Sequence, residues 1–179
     1  MLVWLYYLKK LEYYREGIFN LKLNNPFIQA IGIIVMLAEL PENEALKSRE
    51  LSKRMNVSHS YLIKVAKKLK DADIINSTAS KSGGYTLKKD IDEITFLDIF
   101  DATEGKQSFI DGIDSTPIDS MFLSKEIVKE KRERIHEILD EAEADYRKKL
   151  SRYTISEAVP RDEQGAILQI DWKKVISEM

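Results

Sequence analysis

Apolar residues recur along this chain with a helical period in some stretches and an extended period in others. From His59 to Ala72, the residues Leu62, Val65, Ala66 and Leu69 fall at i, i+3, i+4 and i+7, which places them on one face of a helix. At about 100° per residue, Ser60, Lys64 and Lys67 fall on the opposite face. A shorter helical pattern opens at Ser48-Arg49 and runs through Glu50, Leu51, Lys53, Arg54 and Met55. Asn56-Val57-Ser58 breaks it. Ser58 is expected to cap the second helix, its hydroxyl accepting from the unpaired amides of the next turn. Two helices, a tight polar turn and a short-polar and lysine face describe a helix-turn-helix reader.

Extended patterns follow. Ile74 to Thr78 reads as a strand, Ala79 to Gly83 as a hairpin tip and Tyr85-Thr86-Leu87 as the return strand. Gly83 and Gly84 are expected to take φ values that other residues resist. As a wing, this tip would lie close to a nucleic-acid backbone or minor groove, and an ordinary turn is the competing explanation.

Upstream, Asn25-Pro26 predicts a helix start, and Phe27, Ile31, Ile34, Val35 and Ala38 predict a strongly apolar helix to about Leu40. Downstream, Thr95 is expected to cap a short helix from Phe96 to Thr103, ended by Gly105, and Lys106 to Ser120 reads as an irregular loop. From Ser124 to Tyr153, Val128, Ile135, Leu139, Ala142, Tyr146 and Leu150 recur at spacings of seven, four, three, four and four. So narrow a stripe on a charged helix suits a two-helix seam, and these six residues are the predicted dimer interface. Packing within one monomer is the competing explanation. In the tail, Ile167 to Ile170 is a candidate strand and Asp171 a candidate cap for a turn containing Trp172.

The fold class expected is therefore mainly α with a small β-hairpin wing (α+β). A winged helix-turn-helix domain at 21–90 leads to a short helix and acidic loop at 91–120. A long dimerisation helix at 121–159 and a tail at 160–179 complete it. Residues 1–20 stand apart. Leu21 is encodable as TTG, an alternative start codon, and Arg15-Glu16-Gly17 as a purine run resembling a ribosome-binding site. Translation is therefore expected to begin at Leu21, with a genuine extra helix packing on a dimer partner as the competing explanation. Native protein yielding an N-terminal peptide with Trp4 would refute this.

Charge sharpens the picture. From Lys47 to Lys89 there are 11 Lys or Arg against 3 Asp or Glu, a net of +8, so in a chain of −2 the remainder carries −10. A basic island in an acidic protein is the footprint of a phosphate-binding face. The candidate DNA-binding residues are Ser48, Arg49, Ser58, His59, Ser60, Tyr61, Lys64, Lys67, Lys81, Gly83, Gly84 and Tyr85. Asp90 to Asp119 instead holds nine acidic residues and one lysine. The chain has no cysteine, which excludes disulfides and thiolate-held metals. His59 and His136 lie in separate predicted helices, and no Gly-rich phosphate loop or metal-ligand cluster occurs. No catalytic, cofactor or metal site is expected, nor a membrane span, and the chain reads as a bacterial cytoplasmic protein rather than an enzyme. The partners expected are double-stranded DNA and a second copy of the chain. Any small-molecule or protein effector is expected near Phe109, Ile110, Ile113, Met121 and Phe122; these apolar residues pinning the loop to the core is the competing explanation. The alternative is a winged-helix module whose main partner is another protein.

Leu21-Lys22-Leu23, the apolar helix after it, Leu51 to Leu69, the SGGYTL hairpin, and Ile94-Thr95-Phe96-Leu97-Asp98-Ile99 running to Glu104-Gly105 occur in one order. In that order they resemble the Rrf-type winged-helix transcription regulators, the group containing the IscR, NsrR and CymR types, over about Leu21 to Val159. Tyr61-Leu62 and Gly83-Gly84-Tyr85 are the most specific parts. The resemblance implies a homodimeric regulator, in the main a repressor, whose long helices cross between subunits on a partly palindromic operator. Many members hold an iron–sulfur cluster on three cysteines in the loop before the long helix; Lys106 to Ser120 has none. Thr78-Ala79 stands where the family commonly has Arg-Gly, leaving Lys81 as the substitute wing cation. Asp73 stands where the family often has Gly, and Asp tolerates a left-handed helix end better than most residues.

Overall fold

The computed structural model describes residues 25–80, 83–108, 110–114, 116–119, 121 and 123–179. The segment 1–20, Leu21-Lys22-Leu23, Lys81, Phe109 and Phe122 lie outside the described residues.

Helix α1 (Asn25–Ala38) is the element around which the others pack. Pro26 in its first turn has no N–H to leave unsatisfied and a φ already suited to a helix. Phe27, Ala30, Ile33, Ile34, Val35, Met36 and Leu37 are buried, so its second half is covered nearly all round. Such a helix needs neighbours on every side. It finds them in helix α3 (His59–Asp71), strand β2 (Tyr85–Leu87) and helix α4 (Phe96–Glu104).

Helix α2 (Ser48–Met55) starts with half a capping box: the Lys47 amide donates to Glu50 Oε2 at 2.6 Å. A lysine side chain has no acceptor to return the bond. Asn56 ends the helix in the left-handed region (φ 52°, ψ 48°), where Asn is better tolerated than most residues. At the end of α3, Asp73 takes φ 59° and its carboxylate bonds Lys88 at 2.7 Å. Lys88 thereby holds the Asp73 carboxyl below its ordinary range.

Strand β1 (Ile75–Ser77) pairs antiparallel with β2 in the register Ile75–Leu87, Asn76–Thr86 and Ser77–Tyr85. A third chain joins at one residue: Tyr85 donates to the Leu46 carbonyl at 2.8 Å and Leu46 to the Tyr85 carbonyl at 3.2 Å. Gly83 and Gly84 do not have positive φ, contrary to the expectation from their sequence. Their requirement is space. A Cβ on Gly83 would lie 2.1 Å from the Thr78 carbonyl oxygen, and one on Gly84 2.6 Å from that of Leu46.

Helix α4 carries a reciprocal capping box. Asp98 N donates to Thr95 Oγ1 at 3.0 Å, and Thr95 N to Asp98 Oδ2 at 2.8 Å. It stops at Gly105, with φ 101°. The following stretch is less irregular than its composition suggests. It contains a one-turn helix, α5 (Thr116–Asp119), and Ile110 is buried. Ser108 donates to Glu143 at 2.5 Å, which fastens the stretch to helix α6 (Lys125–Leu150).

The last part of α6 is anchored in the core, and nearer its start Arg132 pairs with Asp119 of α5. Tyr146 and Leu150 pack against the core, and Arg147 bonds Asp101 at 2.7 Å. Phe27, Phe100 and Tyr146 form a run of edge-on rings at 6.2 and 5.5 Å between centroids. Just beyond, Ile155 N bonds the Ile94 carbonyl at 2.8 Å. Finally, Ile167 forms only an isolated bridge with Arg161 rather than a strand, and helix α7 (Trp172–Ser177) is capped by Asp171, which accepts from Lys174 N at 2.9 Å.

Candidate nucleic-acid interface

The two helices α2 and α3 pack together, and α3 hides its apolar stripe completely: Leu62, Val65, Ala66 and Leu69 are all buried. Ser60, Lys64 and Lys67 consequently face solvent. Leu62 and Leu69 have no exposed surface, so α3 cannot roll to present another face without exposing about 2 kcal/mol of burial per leucine.

The polar residues at the start of α3 are more tightly organised than their spacing suggests. Ser58 stands in the capping position, but its hydroxyl caps no amide; it lies 3.0 Å from the Ser60 hydroxyl. His59 is turned toward α2, with Nε2 2.9 Å from the Ser48 hydroxyl. That bond ties the two helices together across the turn, so His59 and Ser48 are committed to each other. Tyr61 is half-buried against the core. Among the candidates on the two helices, Arg49, Ser60, Lys64 and Lys67 are exposed. Lys67 has one loose ion pair, at 3.9 Å to Asp71.

The basic island is smaller in effect than in count. Lys68 donates to the Thr103 carbonyl and Lys88 to Asp73, so both act as internal staples. Ile63 was not anticipated: it is 40% exposed on the flank of the lysine face. An apolar side chain at a helix surface surrounded by cations is a candidate for contact with a thymine methyl, and its apolar identity conceals this in a sequence read for charge.

The wing is held where its glycines require. Gly84 sits against the Leu46 backbone, and Tyr85 is half-buried, burial pushing its hydroxyl pKa up. Lys81 lies outside the described residues. The candidate dimer residues divide. Tyr146 and Leu150 are taken up by the chain's own core, whereas Ile135 is 39% exposed and Ala142 is exposed. Val128 and Leu139 are half-buried. Ile127 and Ile138, absent from the predicted seam, are as exposed as Ile135. Of the residues proposed to receive an effector, Ile110 is buried while Ile113 and Met121 are exposed.

Comparison with known proteins agrees with this architecture. The Rrf2 family model, described as iron-dependent transcriptional regulators, matches residues 23–161. The chain is 35% identical over 137 residues to a Lactococcus lactis subsp. lactis protein provisionally named HTH-type transcriptional regulator YffB, an overlap of 76% of this chain and 86% of that one. In fold it is similar to CymR, the global cysteine regulator of B. subtilis, with a TM-score of 0.54 and 23% identity over 77% of this chain and 95% of CymR. A crystal structure from Lactobacillus plantarum aligns at a TM-score of 0.58 with 19% identity, covering 73% of this chain and 85% of that one.

The iron in the family's description finds no matching donors here. Without cysteine a thiolate-held cluster cannot form, and among the described residues no three His, Asp or Glu side chains gather as a metal site. In its architecture and its identity to relatives the match is otherwise consistent: this chain belongs to the Rrf2 family of transcriptional regulators, which are not enzymes.

Proposed function

We propose that the chain is a homodimeric DNA-binding repressor that acts in the bacterial cytoplasm on a partly palindromic operator, without a cysteine-ligated iron–sulfur cluster. The observation that carries this is the exposed Ser60, Lys64 and Lys67 face of α3, fixed by a fully buried opposite face. Helix α3 enters the major groove, with Ser60 and Lys64 toward base edges. Arg49 and Lys67 meet phosphates, as does Lys81 in the wing, and Gly83-Gly84-Tyr85 set the wing's approach. Ser48, Ser58, His59 and Tyr61 shape the start of α3.

Dimerisation follows from α6. A 26-residue helix is about 39 Å long, and its first two-thirds present Ile127, Ile135 and Ile138 to solvent. Crossing a second copy over Val128, Ile135, Leu139 and Ala142 would cover them and place two reading helices on one duplex. Repression is the simplest output, because an operator-bound dimer excludes polymerase sterically. A gel shift on the protein's own promoter with excess nonspecific competitor tests the reading. A retarded band that survives competitor is expected; no band at any salt concentration would favour a winged-helix module directed at another protein.

A further inference from the structure

The segment after residue 161 lies beyond the family match and is fastened to the first helix of the reading head. Trp172 and Ile176 are buried. Ile170 N bonds the Glu39 carbonyl at 2.7 Å, and Lys173 pairs with Glu44 at 3.2 Å across the turn before α2. On α2, Lys53 Nζ donates to the Ile176 carbonyl at 2.7 Å, and the Arg54 guanidinium stands 5.1 Å from the Trp172 ring centroid. One short helix therefore spans the end of α1, the connecting turn and α2.

Beneath it lies a carboxyl the DNA-reading role does not use. Glu39 is only 2% exposed, and its Oε2 is buried without a hydrogen-bond partner among the described residues. The Trp172 indole N–H is also buried, without a completed bond among the described residues, though it lies near enough to favour the charged carboxylate. A carboxylate so placed is costly, whereas a protonated carboxyl is tolerated. The facing groups are few. Arg54 from α2 is the nearby cation; Lys173 is spent on Glu44, Lys53 on the Ile176 carbonyl, and Asp171 on its cap.

We propose that Asp171–Met179 is a proton-controlled latch on the reading head, closed over Glu39 while that carboxyl is protonated and loosened when it ionises. Burial, the largest influence, raises the Glu39 pKa to about 7, with Trp172 and Arg54 partly opposing it. The latch therefore changes state near neutral pH. Loosening frees Lys53, which sits one turn beyond Arg49 on the same side of α2.

The chain has two tryptophans, so in a Trp4→Phe background Trp172 alone reports. Its emission, followed from about pH 5.5 to 8.5, should shift to longer wavelength with a midpoint near 7. Glu39→Gln should abolish the transition. Arg54→Gln should move the midpoint upward, because the lost cation favoured the carboxylate. A flat profile in the parent overturns the latch, as does an unchanged transition in Glu39→Gln. Should Glu39→Gln not fold, an Arg54→Gln midpoint that stays in place overturns it equally. No DNA is present in this experiment, so its failure leaves the DNA-reading role standing.

Discussion

Replacing Gly84 with alanine tests whether the wing is held by the close approach of two backbones. The new Cβ would lie 2.6 Å from the Leu46 oxygen, 2.8 Å from its carbon and 3.2 Å from its nitrogen, where ordinary contact begins at 3.4 Å. All three atoms are backbone, so no side chain can swing aside. The wing must retreat by about 0.8 Å, the difference between 3.4 and 2.6 Å, which disrupts both hydrogen bonds between Leu46 and Tyr85. Two bonds at roughly 0.5–1.5 kcal/mol each, with overpacking of about 1 kcal/mol, give a loss of about 2–4 kcal/mol. For a chain of this size that lowers Tm by roughly 5–15 °C. Urea denaturation at fixed protein concentration measures it, with Gly112→Ala as control. Gly112 has open space around its Cβ position and should change stability by less than about 0.5 kcal/mol. If Gly84→Ala falls within about 0.5 kcal/mol of that control, the packing argument for the wing is wrong.

Further predictions concern the arm, the metal and the buried acid. Leu139→Asp with Ala142→Asp should yield monomers in sedimentation and abolish operator binding together; a double variant that stays dimeric places the contact elsewhere. Anaerobic reconstitution with iron and sulfide should leave the protein colourless, and a stable visible chromophore with stoichiometric iron would contradict that. Glu39 has a folded pKa of about 7 against an ordinary 4.5, so the stability of its neutral form is complete below pH 4.5 and lost as pH rises to about 7. The difference of about 2.5 units corresponds to at most roughly 3–4 kcal/mol. Denaturation midpoints of the parent should fall over that interval relative to Glu39→Gln; parallel profiles would show the acid is not buried in the folded protein.

The orientation of helix α3 was legible because its signal is local: four apolar residues on one stripe fix which face turns outward, and no distant contact alters that. The capping box at Thr95 and the left-handed Asp73 are local in the same sense. The wing glycines are legible as a constraint but not its cause: Gly84 is held by Leu46, some forty residues away, and Gly83 by the Thr78 carbonyl across the hairpin tip, rather than by their own φ. Helix α6 shows a second limit. Tyr146 and Leu150 continue the same period as Ile135 and Leu139, yet only the former meet the ring of Phe100 and the core. Periodicity identifies a stripe without saying what covers it. The bond between His59 and Ser48 is not legible in the sequence, because it depends on how the two helices cross. Glu39 gives no sequence signal at all, since a single acid after an apolar helix looks like any helix end.

The most direct test of the account is a titration of the parent and Lys64→Ala on an operator duplex and a scrambled duplex, at several salt concentrations. If α3 reads bases, Lys64→Ala should cost about 1–3 kcal/mol on the operator and less on the scrambled duplex, shrinking the ratio between them. Lys81→Ala, in the wing, should weaken both alike and lower the salt slope by about 1. A ratio that survives Lys64→Ala but collapses with Lys81→Ala would make the wing the reader and contradict the assignment of α3.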